Sequence, residues 1–368
     1  MNTTFQQLMA DATRLTQSGE LRAATDAIQA AMRGAMSAPS NVTSEAHDTN
    51  DPNNTDVIEG TARRVDEPDL PNTDSTPAEN EALGTGQFIE GRHTFASDSR
   101  QYKLFVPPQT HRSASRAGKA LPLVVMLHGC TQNPDDFALG TGMNEAALAS
   151  DEGFFVLYPA QTSQANTSRC WNWFKRSHQQ RGLGEPALLA DMTREMIKRH
   201  AIDPQRVYVA GLSAGGAMAA ILGEAYPDIF AAVGVHSGLA VGAAKDVNSA
   251  FSAMKSGAAS TLKSNGKTVP TIVFHGDKDV TVHPVNGEQA VQSSAGSAAA
   301  TVSTGTDNGR SFTRSVYATD GRVVAEHWTV QGAGHAWSGG SAKGSYADAK
   351  GPNATKEMLR FFLVNKLG

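Results

Sequence analysis

Val207-Tyr208-Val209-Ala210-Gly211-Leu212-Ser213-Ala214-Gly215-Gly216 is a β-branched, apolar run that breaks into Gly-x-Ser-x-Gly and then into small, helix-compatible residues. A serine at such a strand-to-helix turn occupies a strained backbone conformation with its hydroxyl exposed, and Gly211 and Gly215 supply the clearance the turn needs. Ser213 is therefore the candidate nucleophile for acyl transfer. A hydroxyl is a poor nucleophile until a base takes its proton, so a carboxylate and a histidine are required downstream, in that order. Thr271-Ile272-Val273-Phe274-His275-Gly276 reads as a buried strand ending in Asp277-Lys278-Asp279. Asp279 lies one step further from the strand end, where a loop can aim its carboxylate, and is the candidate acid; Asp277 is then a turn or capping residue. Gly332-Ala333-Gly334-His335 follows a later strand and presents His335 as the candidate base.

The chain has 11 histidines. His128, His275 and His327 lie in or at the end of apolar strands and read as packed, hydrogen-bonded side chains, and His236 and His283 are weaker competitors near strand ends. Only His335 follows the acid loop on a glycine-rich turn before a closing helix. The charge of a tetrahedral intermediate must meet fixed N–H donors. Ala214, the residue after the nucleophile, is one; Leu123-Val124-Val125-Met126-Leu127-His128-Gly129-Cys130 ends in a loop whose Cys130 N–H is the second.

Four motifs, Leu127-His128-Gly129-Cys130-Thr131-Gln132, Cys170-Trp171-Asn172-Trp173-Phe174, Gly211-Leu212-Ser213-Ala214-Gly215-Gly216 and Gly334-His335-Ala336-Trp337-Ser338-Gly339-Gly340, occur in this order. Together they resemble the esterases of the polyhydroxybutyrate depolymerase family, which is related to feruloyl and acetylxylan esterases. The resemblance covers residues 86–368 and implies an α/β-hydrolase fold, a mostly parallel central sheet with helices on both faces. It matches Ser213, Asp279 and His335 to a catalytic triad and Cys130 with Ala214 to the oxyanion hole. It implies serine-dependent hydrolysis, through an acyl-enzyme, of poly(3-hydroxybutyrate) or hydroxyalkanoate oligomers, with no cofactor. Both cysteines lie in these motifs; a Cys130–Cys170 bridge would pin the tryptophan loop over the site, and two free buried thiols are the equal alternative. Neither cysteine has a metal-ligand partner at usable spacing, so no metal site is expected. Trp171, Trp173 and Trp337, with Asn172 between the first two, form a candidate substrate wall for a chain of ester units or an aromatic acyl group, against core packing as the alternative.

Positioning these residues takes a sheet. An antiparallel pair is expected at Gln87 to Phe95 and Gln101 to Val106, and parallel strands at Leu123 to Leu127, Phe154 to Tyr158, Val207 to Ala210, Ala231 to Val235 and Thr271 to Phe274, with Val324 to Val330 completing the set. Glu185 to His200 is an amphipathic helix stopped by Pro204, Thr355 to Leu367 is the closing helix, and residues 240–266 read as a mobile lid or insertion. Ahead of this domain, residues 1–36 carry two apolar stripes, Phe5, Leu8, Met9, Ala12, Leu15 and Leu21, Ala24, Ile28, Ala31, Met32, and predict a helical hairpin. Residues 37–85 are polar and acidic and predict a disordered linker.

Composition narrows the partners. A net charge of −4 over 368 residues gives no electrostatic case for nucleic acid, and no run reaches the ~18 apolar residues of a spanning helix. Met1-Asn2-Thr3-Thr4-Phe5-Gln6-Gln7-Leu8 lacks the basic start and apolar core of a secretory signal, so a cytoplasmic location is expected, with the extracellular one of secreted family members as the alternative. The expected partner is a polyester or oligoester, including a polymer granule surface. Two other readings compete: a feruloyl or acetylxylan esterase, and a granule- or partner-binding protein in which the hairpin is the working part.

Overall fold

The computed structural model describes residues 85–108, 120–259 and 268–368. The expected helical hairpin over 1–36 and all but the last residue of the linker lie outside these residues. Ten strands form one sheet: β1 (Gln87–Phe95), β2 (Asp98–Val106), β3 (Leu121–Leu127), β4 (Phe155–Pro159), β5 (Ile202–Leu212), β6 (Ala232–His236), β7 (Thr271–Gly276), β8 (Ala300–Asp307), β9 (Arg310–Thr319) and β10 (Arg322–Val330). Their order is β1-β2-β4-β3-β5-β6-β7-β10-β9-β8. The six strands from β4 to β10 pair in parallel, with antiparallel pairs at both edges. β3 is buried along its whole length, as are β4, β6 and β7. Strands covered on both faces need continuous apolar runs, which is why these were legible as Leu/Val/Ile/Phe blocks.

Helices cover both faces, and the sheet separates two apolar cores. One face carries α3 (Gly184–Arg199), α4 (Ala214–Ala225) and α6 (Val285–Ala295), and Leu188, Met192 and Met218 pack there with Val209 and Val235. On the other, α1 (Pro134–Thr141), α2 (Met143–Ala149) and the closing helix α7 (Ala354–Leu363) bring Phe137, Met143, Phe361 and Phe362 against Tyr208 and Phe274. α1 starts where Asn133 caps it, accepting the Asp136 N–H at 3.0 Å, with Pro134 in the first turn.

Strand order reverses between β3 and β5: the chain moves outward from β3 to β4, then returns to place β5 on the other side. In open parallel sheets the crevice at such a switch point, beyond the carboxyl ends of the strands, is where ligands bind. Leu127 pairs with Gly211 and Leu212 with His236, so the loops after β3, β5 and β6 emerge side by side; Gly276 pairs with Val330, so the loops after β7 and β10 do the same.

Two features add to the expected set. The expected strand at Val324 to Val330 is β10, the last of a three-stranded antiparallel meander; β8 and β9 precede it, joined at Asn308-Gly309 and Asp320-Gly321, all four residues having positive φ. Such dipeptides favour the two-residue hairpin turns whose twist matches the strands. In the segment 240–266 read as a lid or insertion, of which 260–266 lie outside the described residues, α5 (Val247–Ser256) is a capped helix: Asp246 accepts the Ser249 N–H, while the Ala253 and Met254 carbonyls accept from Asn286 Nδ2 and the His283 N–H.

Candidate functional site

Ser213 stands between the last residue of β5 and the first of α4 with φ 58° and ψ −120°. A non-glycine residue held in such a region stores about 1–3 kcal/mol, which the surroundings must offset. They do so by close approach: a Cβ on Gly211 would overlap the Gly215 backbone, and one on Gly215 would overlap Leu127 O. The Ser213 N–H is held by His236 O at 2.9 Å, and Ser213 O accepts the Ala217 N–H. Ala214 opens α4, so its N–H has no acceptor within the helix.

The loop after β3 meets this turn. Gly129 N–H donates to Gln132 Oε1 at 2.9 Å and Thr131 N–H to Ser168 O at 2.7 Å, whereas the Cys130 N–H between them has no acceptor among the described residues. Buried Gln132 in turn donates to Asp136 Oδ2 and Ser345 O. Cys130 and Cys170 are joined by a disulfide.

Asp279 and His335 are brought together by a 2.7 Å hydrogen bond from His335 Nδ1 to Asp279 Oδ2. The other carboxylate oxygen accepts the Thr281 and Val282 N–H groups, each at 2.9 Å. Burial alone would raise the Asp279 pKa, but the His335 charge and bonds from His275 and His335 outweigh it and hold the carboxyl well below the usual range. Asp277 accepts the Gly332 N–H at 2.6 Å and so ties the loop after β7 to the loop after β10.

His236 links the two halves. Its carbonyl holds the Ser213 N–H and its Nε2 accepts the Ser338 N–H at 2.9 Å, three residues past His335. Burial, with the neighbouring His275 and His335, pushes its pKa far down, and its engaged Nε2 removes it as a base. His128 is likewise buried, its pKa lowered to about 4, with Nε2 accepting the Gln161 N–H. His283 is exposed, its Nδ1 facing the Val285 N–H. Ser213 Oγ makes no hydrogen bond to His335 among the described residues; such links often close only when substrate is bound.

The expected aromatic wall needs correction. Trp171, Asn172 and Trp337 are each no more than 2% exposed. Trp171 donates its indole N–H to His128 O, and Trp337 stacks on His236 and donates to Thr355 Oγ1. Asn172 gives both its backbone and side-chain N–H groups to Glu185, a buried carboxylate that also receives Gln161 Nε2. These three residues hold the loops up from beneath because their polar atoms are consumed by the interior. Trp173 alone of the four reaches the site. It lines an apolar cavity of about 250 Å³ beside Ser213, Ala214 and the disulfide, together with Phe174, Leu239, Phe251, Met254 and Val282. Sequence reasoning missed this lining, although Val247, Ala250, Phe251 and Met254 repeat at the i, i+3, i+4, i+7 spacing of one helix face. Among the described residues no group of His, Cys, Asp and Glu could hold a metal, and no helix is long and apolar enough to cross a membrane.

Comparison with known proteins follows this geometry. The sequence profile described as Esterase PHB depolymerase matches residues 100–308. Poly(3-hydroxyalkanoate) depolymerase C of Paucimonas lemoignei is 34% identical over 228 residues, 58% of this chain and 54% of that protein. Feruloyl esterase B of Thermothelomyces thermophilus is 30% identical over 210 residues, 52% of this chain and 68% of that one. Among solved structures, an acetyl xylan esterase from Aspergillus awamori superposes with a TM-score of 0.55 at 20% identity, covering 67% of this chain and 94% of its own, a likeness of fold. The chain spans about half the length of the depolymerase it matches.

Proposed function

The chain belongs to the esterase PHB depolymerase family, and on that premise we propose that it is a serine carboxylic ester hydrolase acting on poly(3-hydroxybutyrate) or hydroxyalkanoate oligomers through an acyl-enzyme. The observation that carries this reading is Ser213 held at positive φ on the β5–α4 turn, open to an apolar cavity. In the proposed reaction His335 takes the Ser213 Oγ proton as the oxygen adds to the ester carbonyl. Asp279 keeps Nδ1 protonated and Nε2 free, and supports the imidazolium that forms. The Cys130 and Ala214 N–H groups meet the oxyanion; removing one such donor typically costs about 10²–10³ in kcat. The alcohol departs with the proton from His335, and water enters by the same route to release the acid.

Among the described residues the cavity is lined by no charged side chain, which suits an uncharged group beside the scissile carbonyl. That suits a hydroxyalkanoate unit, whose carboxyl is esterified. Trp173, Phe174 and Phe251 favour a second reading, an aromatic acyl group such as the name feruloyl esterase B implies for that relative. The disulfide favours an oxidising compartment, and with it the extracellular location over the cytoplasmic one. Anchoring of residues 1–36 at a granule surface belongs to the same reading.

A kcat/KM panel of hydroxybutyrate oligomers, ethyl ferulate and acetylated xylan, run with the full chain and with residues 1–85 removed, tests it. Oligomers should lead the panel, and truncation should lower hydrolysis of native granules while sparing a soluble short-chain ester. Ethyl ferulate leading would replace the substrate, and equal granule hydrolysis would remove the anchor.

A further inference from the structure

A second imidazole reaches the acid. His275, next to last in β7, is fully buried, with the Gly287 backbone of α6 packed against its ring. Its Nε2 lies 2.8 Å from Val282 O and 3.4 Å from Asp279 Oδ2. Both neighbours are acceptors, which places a proton on Nε2. Among the described residues Nδ1 has no partner in this buried position. An unsatisfied buried polar atom costs about 1–3 kcal/mol, a penalty an apolar side chain in the same space would not incur. Packing therefore does not account for a histidine here, while the two contacts of its Nε2 do. They span one turn: Asp279 Oδ1 accepts the Val282 N–H, and Val282 O accepts from His275, so the ring clamps the acid and the cavity-lining Val282 together.

We propose, resting on the triad reading above, that His275 is a positioning residue for Asp279, sharing its Nε2–H between Val282 O and the carboxylate oxygen that faces His335. The clamp stops the carboxylate from swinging away from His335 Nδ1. It also draws negative charge from Oδ2, the oxygen that accepts from His335 Nδ1. The titratable neighbours of the ring are Asp279, His335, His236 on β6 and His327 on β10; α6 presents Gly287 to it. Burial keeps His236 and His327 neutral near neutrality, leaving the Asp279–His335 pair as the charge the ring acts on.

Two amide variants separate reach from packing. His275→Gln carries an N–H to about the place of Nε2, and His275→Asn carries the same group one carbon short. On p-nitrophenyl butyrate, Asn should lower kcat about 10- to 100-fold with little change in KM, the usual size of losing a support behind a functional group. The acid limb of its kcat/KM profile should move away from the wild-type position. Gln should restore both kcat and the limb to near wild type. A fluorophosphonate adduct at Ser213 in the wild-type protein keeps the triad reading standing whatever the variants do, and its absence would remove that reading first. Given the adduct, equal kcat and equal acid limbs for Asn and Gln would overturn the clamp. Imidazole ¹⁵N spectra of the wild-type protein give a readout independent of variant folding: a His275 proton on Nε2 is expected, and one on Nδ1 contradicts the proposal.

Discussion

Ser213 and Asp279 bear opposite kinds of cost. The serine stores backbone strain at φ 58°, and the aspartate is a charge buried almost completely, supported by two backbone N–H groups and two imidazoles. Each is tolerable only because its neighbours are fixed, which is what a preorganised site requires. Asp279→Asn would leave His335 Nδ1 facing an amide and favour the wrong tautomer, so kcat on p-nitrophenyl butyrate should fall roughly 10³- to 10⁴-fold. Asp277→Asn keeps a carbonyl oxygen for the Gly332 N–H and should cost less than about tenfold. Steady-state kinetics on the two purified variants decides the assignment, and the reverse order would transfer the role to Asp277. These residues were legible because their chemistry fixes their order along the chain. His275 was read as packing because nothing in its sequence neighbourhood signals that its Nε2 points at a carboxylate four residues on.

At the scale of elements, α5 forms one wall of the cavity beside Ser213. Phe251 and Met254 project into the cavity from its inner face while its C-terminal carbonyls are tied to Asn286 and His283 beside the acid loop. Phe251→Ala and Met254→Ala should enlarge the cavity and raise the octanoate-to-butyrate ratio of kcat/KM for p-nitrophenyl esters by about tenfold, the worth of a methylene or two in an apolar pocket. An unchanged ratio in both variants would show that the acyl group lies elsewhere. The central strands and α3 could be read from apolar blocks and helical period, since burial on both faces leaves that mark. β8 and β9 could not be read that way, because both run exposed or half-buried along their whole length without an apolar block; only the Asn-Gly and Asp-Gly turns announced them. Trp171 and Trp337 sit in loops by sequence and in the interior by structure, a difference set by tertiary contacts with His128 and Thr355.

For the molecule as a whole, buried titratable groups set a pH dependence of stability. Burial lowers the pKa of His128 and of His327 to about 4, with His275 adding to the effect at His327. An exposed histidine has a pKa of ~6.5, so between that value and 4 the unfolded chain binds protons the folded chain refuses; the stability is fully present above this window and is lost as pH falls through it. A second loss begins near pH ~4, the ordinary carboxylate range, because Glu185, Asp279 and Glu326 are held below it by their partners despite burial. Melting temperatures should therefore decline from pH 6.5 to 4 and more steeply below, with His327→Phe flattening the upper window; a midpoint constant from pH 7 to 4 would contradict this. The central claim, that one serine in this chain is an activated nucleophile, is tested most directly by intact mass spectrometry after treatment with a fluorophosphonate. The account predicts one adduct per chain, mapped by peptide sequencing to Ser213 and absent from a folded Ser213→Ala variant. No adduct on the wild-type chain, or an equal adduct on the variant, would contradict it.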